Sequence, residues 1–221
     1  GPNIFVKICG YSTSQISKEL IKQIKDEFGK IPKKLKLLNV CGGGSSSYGF
    51  WSSFMKFDKK QVEFVGIEAG GKKNSKLHAA PLTNNSKIGI LHGAAQYVIM
   101  DKNGQIGLTE SISAGLDYSG ISPLHCFLKD TKRARYTSAT DEEALKAFQL
   151  VSKLENISPS LEPAHAFAEA CKISPKLSKD TVIVVNSCGD SFKDKDIIKN
   201  KLVNNDGYIV SERQMETMKI I

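Results

Sequence analysis

The sequence predicts an α/β fold: a three-layer, open, mostly parallel sheet with helices on both faces. Two observations carry that expectation. Short, almost wholly apolar runs recur, LKLLNV at 35–40, VEFVGIE at 62–68 and TVIVVN at 181–186, of the kind buried on both faces of a parallel sheet. Between them lie stretches of helical periodicity, so that helix, strand, glycine loop, helix and strand follow one another from 14 to 68.

In chain order, residues 14–28 set Ile16, Leu20, Ile21, Ile24 and Phe28 at helical spacing, with Gly29 beyond the end. Pro32 closes that helix and 35–40 reads as a buried strand. The loop VCGGGSSSYG (40–49) follows, then a helical pattern over 48–57, then the strand at 62–68. Residues 69–125 are less regular. Gly70-Gly71, Asn84-Asn85 and Asn103-Gly104 mark loops and turns there, and 87–107 carries apolar elements of no clear period around a turn at 102–104.

Helical order returns at 140–155, where Thr140 and Glu143 form a capping box and the acidic first turn suits the helix dipole. A shorter helix over 162–171 carries Pro163 in its first turn, where no donor is lost. The strand at 181–186 ends in SCGDS, and 194–203 reads as another helix. Neither a repeat nor a low-complexity linker interrupts the chain, which reads as one domain.

Composition narrows the class. The 221 residues, 40% apolar and 24% charged, fit a soluble globular chain with a substantial core. No apolar run is long enough for a transmembrane helix, and no secretory-type segment opens the chain. The Gly1-Pro2 opening looks like the scar of a cleaved tag, so the natural protein is expected to continue upstream. Five scattered cysteines without a C-x-x-C pair indicate neither a disulfide framework nor a cysteine zinc site, and predict a reducing, cytoplasmic setting. The net charge of +8 does not point to nucleic acid. Only Arg133, Arg135 and Arg213 are arginines, and the lysines are spread along the chain without interleaved aromatics. A solvated lysine surface accounts for the charge.

Open α/β sheets bind ligands beyond the carboxyl ends of their strands. CGGGSSS after 35–40 and SCGDS after 181–186 stand there. Glycines let backbone N–H groups approach an anion, serines add donors, and the following helix adds partial positive charge. A phosphate fits such a loop; a plain glycine-serine surface turn is the competing reading. Neither G-x-x-x-x-G-K-[ST] nor G-x-G-x-x-G is present. The four histidines lack metal-ligand spacing, and His165 is expected to pack, hydrogen-bonded, on a helix face. Ser187 lacks the G-x-S-x-G context of a hydrolase nucleophile, and no histidine lies near Cys188 in sequence to activate it. Asp141, Glu142 and Glu143 read as a solvated helix start.

Taken together, CGGGSSSYG, VGIEAGG, HAAPL, NGQI, SISAGLDY, P-x-H, DEEALKAFQLVSKLE, SLEPAHAFAEA and VIVVN-x-C-G, in that order, closely resemble the C-terminal part of the tryptophan synthase beta chain family. The resemblance covers about 16–203. That family uses pyridoxal phosphate to join indole to L-serine. The resemblance implies that Gly42, Gly43, Gly44, Ser45 and Ser46 bind the cofactor phosphate, with Ser46 where the family usually has asparagine. It places Glu162 near the cofactor ring, Gly115 beside it, and Asp117 as a residue that helps close the active site. Cys188 stands where a serine meets the pyridine nitrogen, and a thiol is the weaker partner. The carbonyls of Cys41, Gly42, Ala79, Leu116 and Tyr118 would form a site for a monovalent cation, sodium or potassium.

The resemblance further implies a tryptophan synthase alpha chain or a second copy as partner, with no nucleic acid and no membrane. Two departures stand out. After VIVVN the family usually reads L-S-G-R-G-D-K-D, whereas SCGDSFKDKD stands here, with an arginine lost and extra residues expected to be inserted. The family's Schiff-base lysine lies in an H-K-x-N segment upstream of the glycine loop, and no His-Lys pair occurs in this chain. Residues 1–221 are therefore expected to be the C-terminal, cofactor-binding portion of such an enzyme, lacking the N-terminal catalytic half and inactive alone. A related serine dehydratase-like enzyme, or a non-catalytic remnant that binds an anion or a partner, are the alternatives.

Overall fold

The computed structural model of the protein describes residues 3–203; the Gly1-Pro2 opening and Arg213 lie outside them. Helix α1 (Asn3–Phe28) precedes strand β1 (Leu35–Val40), helix α2 (Ser45–Ser52) and strand β2 (Val62–Ala69). Strands β3 (Lys87–Leu91) and β4 (Ala94–Val98) form a separate antiparallel hairpin. Helix α3 (Pro123–Asp130) then leads into β5 (Ala134–Ala139), and α4 (Asp141–Glu155) and α5 (Leu161–Ile173) into β6 (Val182–Val185) and α6 (Lys195–Val203).

The main sheet runs in the order β5-β2-β1-β6 and every pairing is parallel, with Leu35 opposite both Val62 and Val182. From β1 the chain steps outward through β2 to β5, then returns to lay β6 on the other side of β1. The direction of winding therefore reverses between β1 and β6, and the loops leaving those two strands flank the crevice where such sheets bind ligands.

Strand alternation builds a core on each face. On one, Leu35, Leu37 and Phe64 pack against Ile24 of α1, Trp51 of α2 and Leu128 of α3. Trp51 stacks on Phe64 with ring centroids 5.1 Å apart, and its indole N–H donates to the Leu37 carbonyl at 3.2 Å. On the other, Leu38, Val40, Val65 and Ile67 meet Ala147 of α4 and Ala166 and Ala168 of α5. Helices thus cover both faces of a parallel sheet, the three-layer arrangement that the apolar runs predict. Among the described residues no helix is long and apolar enough to cross a membrane.

The differences from expectation have physical causes. Helix α1 begins at Asn3, not near 14. Its contact with α2 runs through small residues: a Cβ on Gly49 would strike the Thr13 hydroxyl, and one on Gly10 would lie 2.7 Å from the Tyr48 ring. Ile8 and Tyr11 point outward instead. Hydrophobic periodicity cannot register a contact face made of glycine, serine and threonine. Helix α2 starts at Ser45 rather than 48, directly after the glycine loop.

Strand β5, ARYTSA, has neither an apolar run nor clean alternation, because it is an edge strand paired only with β2. Helix α3 did carry a start signal: the Ser122 hydroxyl accepts from Leu124 N–H at 3.2 Å, and Pro123 takes the first helical position. The region 87–107 resolves into the β3–β4 hairpin, turning at His92-Gly93 with φ of 51° and 73°, and a second turn closed by Asp101 N–H on the Gln105 carbonyl at 2.8 Å.

Candidate functional site

The loop 41–44 leaves the end of β1 and turns into α2. Cys41 is still tied to the sheet, its N–H donating to the Ile67 carbonyl at 2.8 Å. The next carbonyls are committed elsewhere. That of Gly43 accepts from Ser122 N–H at 3.3 Å, and that of Gly44 from the His125 ring at 2.7 Å and Tyr48 N–H at 3.1 Å. The N–H groups of Gly42, Gly43 and Gly44 meet no acceptor among the described residues, and α2 has no side-chain cap. Unpaired donors gathered at a helix N-terminus are the arrangement that binds an anion.

Two of these glycines are required by space. Gly44 has φ of 96°, and a Cβ there would strike the His125 imidazole; a Cβ on Gly42 would strike the Gly115 carbonyl. His125 is fully buried, and burial holds its ring down at about 4, so it is neutral at pH 7. A carbonyl only accepts, so Nε2 carries the proton toward Gly44 and Nδ1 accepts from the Tyr136 hydroxyl at 2.7 Å. Ser45 and Ser46 open α2, and the Ser46 hydroxyl accepts from Asn39 Nδ2 at 3.3 Å.

Gly42 therefore packs against Gly115, and Gly115 N–H donates to Glu162 Oε1 at 3.1 Å. Glu162 opens α5, and its Oε1 also accepts from Lys193 Nζ at 2.7 Å. Its Oε2 is buried without a partner. Burial alone would raise this carboxyl, but hydrogen bonds from Lys193 and Ser160 and the ammonium charge hold it down at about 2. An ionised carboxylate with one free oxygen thus faces the same crevice as the glycine loop.

The loop after β6 is fastened to the start of α5. Ser160 N–H donates to the Gly189 carbonyl at 2.9 Å, Ser191 N–H to the Ser158 carbonyl at 3.0 Å, and Leu161 N–H to Asp194 Oδ2 at 2.8 Å. Asp194 is buried and caps α5 in this way. Cys188 lies on this loop with an exposed surface. Protein mass crowding the thiol pushes its pKa up, and the nearby Glu162 charge adds to this, keeping it protonated at neutral pH. Asn186, at the end of β6, is buried with Nδ2 unpartnered.

The predicted residues are brought together unequally. Contacts link Gly42 to Gly115 and Gly115 to Glu162, whose charge reaches the Cys188 thiol, while Gly43, Gly44, Ser45 and Ser46 continue the loop from Gly42. Asp117 is exposed, two residues beyond Gly115. Of the carbonyl set, Ala79 and Leu116 share one core cluster, and the Leu116 carbonyl already accepts from Tyr118 N–H at 2.9 Å. The Tyr118 hydroxyl lies 2.8 Å from His92 Nδ1. His165 is packed as expected, its Nδ1 donating to the Leu161 carbonyl at 2.7 Å. Sequence reasoning missed His125 and Lys193. The P-x-H motif held the first; nothing local distinguished the second among 28 lysines.

No family model matches the chain. It is 43% identical over 194 residues, 88% of its length, to the tryptophan synthase beta chain of Bradyrhizobium sp. (strain ORS 278). The chain belongs to the tryptophan synthase beta chain family. It spans about half the length of the curated relative it matches, 46%. Among solved structures, a fungal L-serine ammonia-lyase from Rhizomucor miehei aligns over 90% of this chain and 56% of its own, at TM-score 0.59 and 20% identity. A T.th. threonine deaminase aligns over 81% and 55%, at 0.54 and 14%. Both share the fold.

On the loop after β6 the Asp190 carboxylate accepts from Phe192 N–H at 2.7 Å.

Proposed function

We propose that the chain binds pyridoxal phosphate and is the cofactor-binding portion of a tryptophan synthase beta chain, an enzyme that makes L-tryptophan from indole and L-serine. The observation that carries this is the crevice itself: unpaired N–H groups on the glycine loop at one side and a charged, half-satisfied Glu162 at the other. The residues present fit the cofactor. Two orphaned buried polar atoms, Glu162 Oε2 on α5 and Asn186 Nδ2 after β6, offer an acceptor and a donor to a polar group, and glycine at 42 and 44 lets the loop close on Gly115 and His125.

On this reading Gly42, Gly43, Gly44, Ser45 and Ser46 hold the phosphate, and His125 keeps the loop in shape through the Gly44 carbonyl. Gly115, Glu162 and Cys188 flank the ring. When bound, pyridoxal phosphate supplies the electron sink for chemistry at an amino-acid α-carbon. Through its unpartnered oxygen the Glu162 carboxylate would accept a hydrogen bond from a hydroxyl donor of the bound group and help fix its orientation. The protonated Cys188 thiol leaves the ring nitrogen with a neutral partner, which tempers the sink and favours replacement over competing reactions. Asp117 would help close the site over the substrate, and the Cys41, Gly42, Ala79, Leu116 and Tyr118 carbonyls would hold sodium or potassium.

The family's H-K-x-N lysine has no counterpart in this sequence, so we assign binding rather than turnover to the chain alone. The complete enzyme would pair with an alpha chain or a second copy. A serine dehydratase-like activity is the second reading, favoured by Cys188 at the ring position.

Titration of the chain with pyridoxal phosphate and with pyridoxal, followed by equilibrium dialysis, tests the proposal. The phosphate form is expected to bind at least about tenfold more tightly, since one hydrogen bond to a charged group is worth about 1.5 kcal/mol or more. Equal affinities would overturn the assignment of the glycine loop.

A further inference from the structure

Lys193 sits at a junction. Its Nζ lies 2.7 Å from Glu162 Oε1 and 2.9 Å from Asp194 Oδ1. Asp194 in turn caps α5 through Leu161 N–H, one residue before Glu162. Glu162 Oε1 takes a second donor, Gly115 N–H, at 3.1 Å. One ammonium thus ties together the loop after β6, the first turn of α5 and the segment that carries Gly115. The side chains of Glu162 and Asp194 are only 12% and 5% exposed, so these carboxylates depend on a partner, whereas Lys193 itself is 53% exposed.

We infer that Lys193 is a positioning residue: it pins the Glu162 carboxylate by one oxygen, leaving the other, buried and unpartnered, open to the ligand. This rests on the reading of the crevice as a pyridoxal phosphate site. The asymmetry is the core of the argument. With both Lys193 and Gly115 on Oε1, the carboxylate cannot rotate to satisfy Oε2 without losing a bond to a charged group. An acceptor held in that state is preorganised for a donor on the ligand.

The other titratable groups facing Glu162 are Asp194, the Cys188 thiol and the buried His165, and none supplies a permanent positive charge. Lys193 therefore has no substitute there among these groups. Lys193 is stabilised as an ammonium in return: burial opposes its charge, but Glu162 and Asp194 outweigh that and raise its pKa.

Carbon-13 NMR of labelled glutamate carboxyls, with Glu162→Gln to assign the signal, tests this on the cofactor-free chain. In the wild type Glu162 should remain ionised through pH 4. In Lys193→Met, which keeps the aliphatic stem and removes the charge, burial is opposed only by the remaining neutral hydrogen bonds, and Glu162 should titrate clearly above its wild-type value. Lys193→Arg should keep it ionised as in the wild type. A Lys193→Met titration like that of the wild type, or a Lys193→Arg titration like that of the methionine variant, would overturn the inference. Should the methionine variant fail to fold, Lys193→Gln carries the same two outcomes. A wild-type chain that binds no pyridoxal phosphate fails the function test alone, and the carboxyl titration still decides the role of Lys193.

Discussion

Replacing His125 by glutamine removes the buried imidazole that holds the Gly44 carbonyl, and its effect on stability should depend on pH in a defined way. At pH 7 the variant keeps a donor for Gly44 but loses the Tyr136 contact, a cost of about 1 kcal/mol. The wild-type ring titrates at about 4 in the fold against an ordinary 6.5. At about 1.36 kcal/mol per pKa unit, the fold favours the neutral ring by about 3 kcal/mol. Because the folded value is depressed, that stability is complete above 6.5, drains away as pH falls from 6.5 to 4, and is constant below. The unfolded chain takes up a proton in that window and the fold does not.

Glutamine does not titrate, so the wild type should lose about 3 kcal/mol more than His125→Gln between pH 7 and pH 4, reversing their order. His165 and the carboxylates also titrate across this range, but they are common to both proteins and cancel in the difference. Urea unfolding at stepped pH measures it. Parallel stability curves would refute the reasoning, since they would mean that the ring accepts a proton without leaving its place.

Two further outcomes concern the crevice directly. Gly44→Ala forces a side chain into φ of 96° and against the His125 ring, and should lower stability by about 1–3 kcal/mol while weakening pyridoxal phosphate binding. Thermal unfolding and dialysis read the two effects, and unchanged affinity in a folded variant would remove the loop from the site. Maleimide labelling should reach the exposed Cys9, Cys171 and Cys188 but not buried Cys41, and pyridoxal phosphate should slow it at Cys188 alone. Equal slowing at all three exposed thiols would count against Cys188 lying beside the ring.

Legibility followed burial and locality. The strand LKLLNV could be read to its last residue because both its faces are apolar, and the Thr140–Glu143 capping box because every partner lies within one turn. The edge strand ARYTSA could not, since only its two end residues are buried and its pairing with β2 is remote in sequence. The front of α1 was hidden for the opposite reason: its contact face is Gly10, Thr13 and Ser17, which close packing favours and hydropathy ignores.

What the sequence determined by itself about this protein is the parallel α/β class and the glycine loop. Both are local: strand burial shows as composition, and an anion-binding turn needs its glycines and serines in consecutive positions. Only the tertiary structure decided which distant groups the loop would face. That His125 holds Gly44 from 81 positions away, and that Lys193 reaches Glu162 across 31, are consequences of winding that reverses between β1 and β6. An ion pair leaves no periodicity in a chain. Lys193 became distinct from the other lysines only where the fold set it between two carboxylates short of water.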